Sequence, residues 1–88
     1  MKIKQGFVMR NVAEQAVAVA TGEASKTFHG MVKLNATGAK IWRGIEEGLD
    51  APAIAERLAA EYSISPERAQ KDVDTFIERM RKTGLMED

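Results

Sequence analysis

The 88-residue chain contains no cysteine, two prolines, one tryptophan and one histidine, and aromatic residues make up only 6% of it. Without cysteine there is no disulfide framework, no thiolate metal site and no thiol nucleophile. A chain this small without cross-links suits a reducing compartment, so the cytoplasm is the expected location. Long apolar runs are missing as well. No segment approaches the roughly 20 residues of a membrane span. The opening Met1-Lys2-Ile3-Lys4-Gln5-Gly6 is charged but lacks the apolar stretch of a signal peptide. No internal repeat or low-complexity tract is present.

Net charge is absent too, with 13 basic residues against 13 acidic ones. That argues against a protein that simply coats nucleic acid. The balance hides a split. Residues 1–44 hold seven basic residues and two acidic ones, whereas residues 45–88 hold six basic and eleven acidic. The first half is therefore +5 and the second −5. At this length one domain, residues 1–88, is expected.

The chain changes character near residue 35. Before it, three β-prone runs are separated by turn residues. Residues 7–12 and 16–20 predict two strands joined by Ala13-Glu14-Gln15, and residues 28–34 predict a third. In the third run Phe28, Val32 and Leu34 share one face, with His29, Met31 and Lys33 on the other. The polar stretch at 22–27 reads as a mobile connecting loop. After residue 35 three helices follow. Asn35 caps the first, which stops at Gly48; Asp50 caps the second, with Pro52 in its first turn. Leu49 and Ile54 are spaced for a hydrophobic staple. Ser65 and Pro66 open the third helix, which runs to about Thr83 and stops at Gly84. The expected fold class is α+β: a three-stranded antiparallel sheet (residues 1–34) followed by a three-helix, winged-helix-like unit (35–88).

Projected at 100° per residue, the third helix has three faces. Ala69, Val73, Phe76, Ile77 and Met80 form an apolar face, Arg68, Lys71, Thr75, Arg79 and Lys82 a basic stripe, and Glu67, Asp74 and Glu78 an acidic one. The ordinary explanation of such charges is a solvated surface with i,i+4 pairs, here Glu67–Lys71 and Glu78–Lys82.

No catalytic constellation emerges. Lys26-Thr27 matches the end of a phosphate loop, but Ala20 and Ser25 stand where its two glycines must be. His29 has no partner residues in sequence for metal binding or nucleophilic catalysis. Trp42, between Ile41 and apolar Ile45, reads as a core anchor. No enzyme, metal or cofactor is expected. Binding remains. Arg68, Lys71 and Arg79 could enter a DNA groove, although the acidic face beside them and the −5 half oppose it. Alternatively, a peptide could add as a strand to the third strand's edge. Gly30 within that run fits either a close backbone approach or a bulge. Met31 there supplies an adaptable apolar contact. The same edge could also pair two copies of the chain in a homodimer.

The segment Leu34-Asn35-Ala36-Thr37-Gly38-Ala39-Lys40-Ile41-Trp42, followed by Ile54-Ala55-Glu56-Arg57-Leu58, Ser65-Pro66-Glu67, Asp72-Val73 with Phe76, and Gly84-Leu85, resembles the PqqD family. These are the coenzyme PQQ synthesis protein D group and, more broadly, the recognition elements for ribosomally made, modified peptides. The resemblance spans essentially the whole chain. It implies a non-catalytic peptide chaperone that binds the leader of a precursor peptide and presents it to a modifying enzyme, in the PQQ case a radical SAM protein. It further implies that the leader lies as an added strand along Phe28, His29, Gly30, Met31, Val32 and Lys33. Lys71, Asp72, Thr75, Phe76 and Arg79 of the third helix would line the groove. Thr37-Gly38 is expected to serve packing, with Gly38 letting the first helix approach the sheet.

Overall fold

The computed structural model describes residues 1–28 and 30–87. Its sheet is organised by a two-residue turn. Ala13 and Glu14 adopt φ of 51° and 68°, the doubly left-handed geometry whose twist suits a tight hairpin. This turn joins β2 (Phe7–Val12) to β3 (Gln15–Ala20) with Val12 opposite Gln15. Gln15, expected in the connection, therefore belongs to the strand. β4 (Met31–Leu34) pairs antiparallel with β3, so the sheet order is β2-β3-β4.

The third strand is shorter than the sequence suggests. It begins at Met31 rather than at residue 28, because Gly30 takes φ +97° and turns the chain just before the ladder. A β-carbon on Gly30 would meet nothing within 4 Å. The glycine is required for its backbone angle and is not a bulge inside the strand, and no other part of the described chain crowds it. Phe28 lies outside the strand and packs edge-to-face on Phe7, with ring centroids 5.1 Å apart at 81°. His29 lies outside the described residues.

Residues 22–27 are not a loose loop. Gly22–Lys26 forms a 3₁₀ turn, tightened by Ser25 Oγ donating to the Gly22 carbonyl at 2.6 Å. Thr21 anchors it by donating its N–H (2.6 Å) and its hydroxyl (3.0 Å) to the Gly6 carbonyl. A small strand pair also escapes the sequence reading. β1 (Lys2–Ile3) pairs with β5 (Met86–Glu87) and ties the two ends of the chain together. Lys4 N–H extends the clamp to the Leu85 carbonyl at 2.8 Å. Two-residue strands carry too little periodicity to read in advance.

The helices start and stop where their caps dictate. Asn35 Oδ1 accepts from Gly38 N at the start of α1 (Ala36–Glu46), and Asp50 Oδ1 accepts from Ala53 N at the start of α2 (Ala51–Tyr62). Ser65 Oγ does the same for Arg68 N in α3 (Pro66–Thr83). Gly84, at φ +89°, ends α3 by donating to Arg81, while Leu85 N–H reaches back to the Met80 carbonyl. The helices bury Ile41, Trp42, Ile45, Ile54, Leu58, Val73, Phe76 and Met80 against Phe7, Ala18 and Leu34 of the sheet. Trp42 is fully buried, as an anchor should be, although its indole N–H finds no acceptor among the described residues. The result is the α+β architecture expected, a three-stranded antiparallel sheet with three α-helices, to which the β1–β5 pair is added. No helix among the described residues is long and apolar enough to cross a membrane.

Candidate functional site

Strand β4 is an edge of its sheet, and the hairpin determines which of its backbone groups face outward. Antiparallel residues alternate between bonding one neighbour and the other. A two-residue turn closes on a bonded pair, so Gln15, Val17 and Val19 bond β2 while Ala16 and Ala18 bond β4. Their partners are Leu34 and Val32. The Leu34 carbonyl does point toward β3, where it also accepts from Gln15 Nε2 at 2.7 Å. That leaves the N–H and C=O of Met31 and Lys33 turned to the open side. Their side chains stand on the sheet face away from the helices, where Met31 is 52% exposed.

Helix α3 runs beside that edge. Arg79 Nη2 donates to the Lys33 carbonyl at 3.4 Å, an outward-facing acceptor. From there a cleft of about 390 Å³ continues between α3 and the start of α1. Lys71, Asp72, Thr75, Phe76 and Arg79 line it on the α3 side, and Asn35, Thr37, Gly38 and Ile41 on the α1 side. The five α3 residues expected in the groove thus meet in one place, and Lys33 joins them through its carbonyl.

Two expectations change here. Gly38 does not bring α1 to the sheet. A β-carbon there would lie 3.0 Å from Phe76 Cε1 and 3.1 Å from Asn35 Oδ1, so the glycine admits the aromatic ring of α3 instead. Thr37 and Gly38, read as packing residues, border the cleft together with Arg68. Nothing in a linear pattern places α1's first turn opposite α3.

The charges on α3 also differ from the simple pairing scheme. Glu78 meets Arg81 at 3.8 Å rather than Lys82, and Asp74 accepts from Gln70 Nε2 at 2.9 Å. Positions i+3 and i+4 are both neighbours on a helix, and Glu78 takes the former. Neither Glu67–Lys71 nor Glu78–Lys82 forms, and among the described residues Arg68, Lys71 and Lys82 make no ion pair. Some surface charges elsewhere are paired: Arg57 grips Glu47 with two bonds of 2.9 and 3.0 Å, and Lys40 meets Glu61 at 2.9 Å. The Arg57 hydrogen bonds hold the Glu47 carboxyl below its ordinary range. No group of three metal-ligating side chains occurs among the described residues.

An edge strand bordered by a helical groove is the arrangement that the resemblance to PqqD requires, and the sequence matches the family Coenzyme PQQ synthesis protein D (PqqD) over residues 12–86. The chain belongs to the PqqD family. Solved structures agree with this assignment. One, TbiB1 in complex with the TbiA(beta) leader peptide, superposes with a TM-score of 0.81 at 25% identity, covering 99% of this chain and 95% of that one. Another, lasso peptide synthetase B1 complexed with the leader peptide, gives 0.78 at 17% identity, covering 96% and 93%, and shares the fold. No curated protein matches the sequence significantly. In this PqqD-family chain, the bond from Arg79 of α3 to the Lys33 carbonyl of β4 joins the cleft to the sheet edge.

Proposed function

We propose that this chain is a non-catalytic recognition element that binds the leader of a ribosomally made precursor peptide as a fourth strand on β4. The observation that carries this reading is the open edge of β4, where Met31 and Lys33 present their backbone groups beside the α3 groove. An extended peptide adding there gains main-chain hydrogen bonds from the strand and side-chain contacts from the groove. The family and the leader complexes of its structural relatives support the same reading.

In this account Gly30 aims the strand, and Met31 and Lys33 supply the ladder. Val32 faces inward and supports β4 from below. Lys71, Asp72, Thr75, Phe76 and Arg79 receive side chains of the peptide. Phe28 contributes indirectly by anchoring the approach to Gly30 through its ring contact with Phe7. The bound leader is handed to a modifying enzyme, of the radical SAM type or another peptide-modifying class, in the cytoplasm. The whole of residues 1–88 acts as the recognition unit.

Binding of the precursor leader, followed by fluorescence anisotropy with a labelled peptide, tests the reading. Saturable binding that is lost when the peptide's backbone amides are methylated at alternate positions is the expected result. Equal binding by the methylated peptide removes strand addition from the account. A mass that doubles with concentration, and falls when peptide is added, would assign the same edge to self-pairing in the free state.

A further inference from the structure

Resting on that reading, we infer that Arg79 is an exchangeable guard of the β4 edge and selects a carboxylate in the incoming peptide. Two independent observations lead to it. First, the guanidinium sits on the Lys33 carbonyl at 3.4 Å, one of the acceptors that an added strand would use. A free edge with a charged side chain across it resists indiscriminate pairing. A peptide that continues its ladder past Met31 must therefore displace Arg79.

Second, among the described residues Arg79 makes no ion pair with a carboxylate. Asp74 and Glu78 already bond Gln70 and Arg81. Arg68, Lys71 and Lys82, on the same stripe, make no ion pair among the described residues. Among the described residues, Asp72 is the one carboxylate lining the cleft, against Arg68, Lys71 and Arg79. The groove thus carries uncompensated positive charge next to an amide-rich edge. A partner matching both features is an extended peptide with an acidic side chain adjacent to the residue that pairs with Lys33. Nucleic acid would satisfy the cations but not the Met31 and Lys33 backbone groups.

The stripe also sets a length. Arg68 and Arg79 are eleven residues apart, about 16 Å along a helix at 1.5 Å per residue. An extended chain covers that span with about five residues. The selected carboxylate belongs at the Arg79 end of this segment, with further acidic residues tolerated toward Arg68.

The test uses end-blocked synthetic peptides built on one strand-forming sequence, with Glu, Gln or Lys scanned along it. Each is titrated into the full chain at low salt while backbone amide resonances are recorded. In the natural protein the Glu peptide should bind about two- to fivefold more tightly than the Gln peptide at one position, the range of an exposed ion pair. The Lys peptide should be weakest. In Arg79→Gln the Glu–Gln difference should vanish at that position, and in Arg79→Lys part of it should return.

Equal affinities of the Glu and Gln peptides at every position, with the Met31 and Lys33 amides shifting for both, overturn the guard while leaving strand addition intact. If no peptide shifts those amides, strand addition fails and the guard with it. Should a short DNA duplex shift the α3 resonances more strongly than the Glu peptide does, the stripe belongs to nucleic acid and the inference is wrong.

Discussion

The ring of Phe76 lies where a side chain on Gly38 would begin: a β-carbon there would be 3.0 Å from Cε1. This contact joins the first turn of α1 to the middle of α3 and shapes one wall of the cleft. Gly38→Ala therefore acts on two quantities at once. Alanine favours a helix by up to about 1 kcal/mol over glycine, while crowding a packed ring costs about 1–3 kcal/mol. Urea unfolding should show a net loss of about 1–2 kcal/mol. Leader affinity should fall further than stability does, because the displaced ring narrows the groove. Unchanged affinity would show that Phe76 is not part of the binding surface.

Met31 separates backbone from side-chain contributions. Its N–H faces the open edge, and the first residue of an edge strand is a position where proline is tolerated. Met31→Pro should keep the thermal transition near that of the natural protein and lose the leader, while Met31→Ala should bind more weakly by a smaller factor. Titration of both variants checks this. Equal losses would mean that the thioether side chain, rather than the ladder, carries the contact.

Packing between α1 and α2 depends on Gly44. A β-carbon at that position would come 2.8 Å from Ile54 Cγ1 and 3.2 Å from Cδ1, and Ile54 is almost wholly buried. Gly44→Ala should destabilise the fold by about 1–3 kcal/mol despite its helix preference. Adding Ile54→Val should recover part of that loss, a non-additivity expected of residues in contact. Chemical denaturation of the single and double variants measures it.

The Glu47–Arg57 pair makes a prediction about acid. The guanidinium hydrogen bonds hold Glu47 below the ordinary carboxylate range. A group depressed in the folded state contributes above its unfolded pKa, and the contribution disappears as pH falls through the folded value. The pair is exposed, so the effect is small and screened by salt. Thermal unfolding of Glu47→Gln should approach that of the natural protein in acid and separate from it slightly near neutrality. The opposite pH order would contradict the assigned shift.

Much of this arrangement was legible in the residues. Asn35, Asp50 and Ser65 announced all three helix starts, and Gly84 the end of α3, because capping is chemistry local to a few side chains. The α3 faces followed from periodicity alone, and they placed Lys71, Thr75 and Arg79 on one stripe. What escaped was set by backbone angles and by distant chain. Gly30 was read as part of a strand because a left-handed φ leaves no mark beyond the glycine itself. The 3₁₀ turn at Gly22–Lys26 depends on Thr21 reaching back to Gly6 across the sheet. Gly38 was matched with the wrong neighbour, since its contact with Phe76 spans 38 residues of chain. The Arg79–Lys33 bond lies beyond sequence reading for the same reason, being 46 residues long in sequence.

The central claim is that a precursor leader adds to β4 and seats in the α3 groove. Amide chemical-shift mapping of the full chain with its cognate leader peptide tests this most directly. The account predicts the largest shifts at Met31, Lys33, Lys71, Thr75, Phe76 and Arg79, together with new protection from hydrogen exchange at the Met31 and Lys33 amides. Shifts centred on the β2 edge or on α2, with those two amides unprotected, would contradict it.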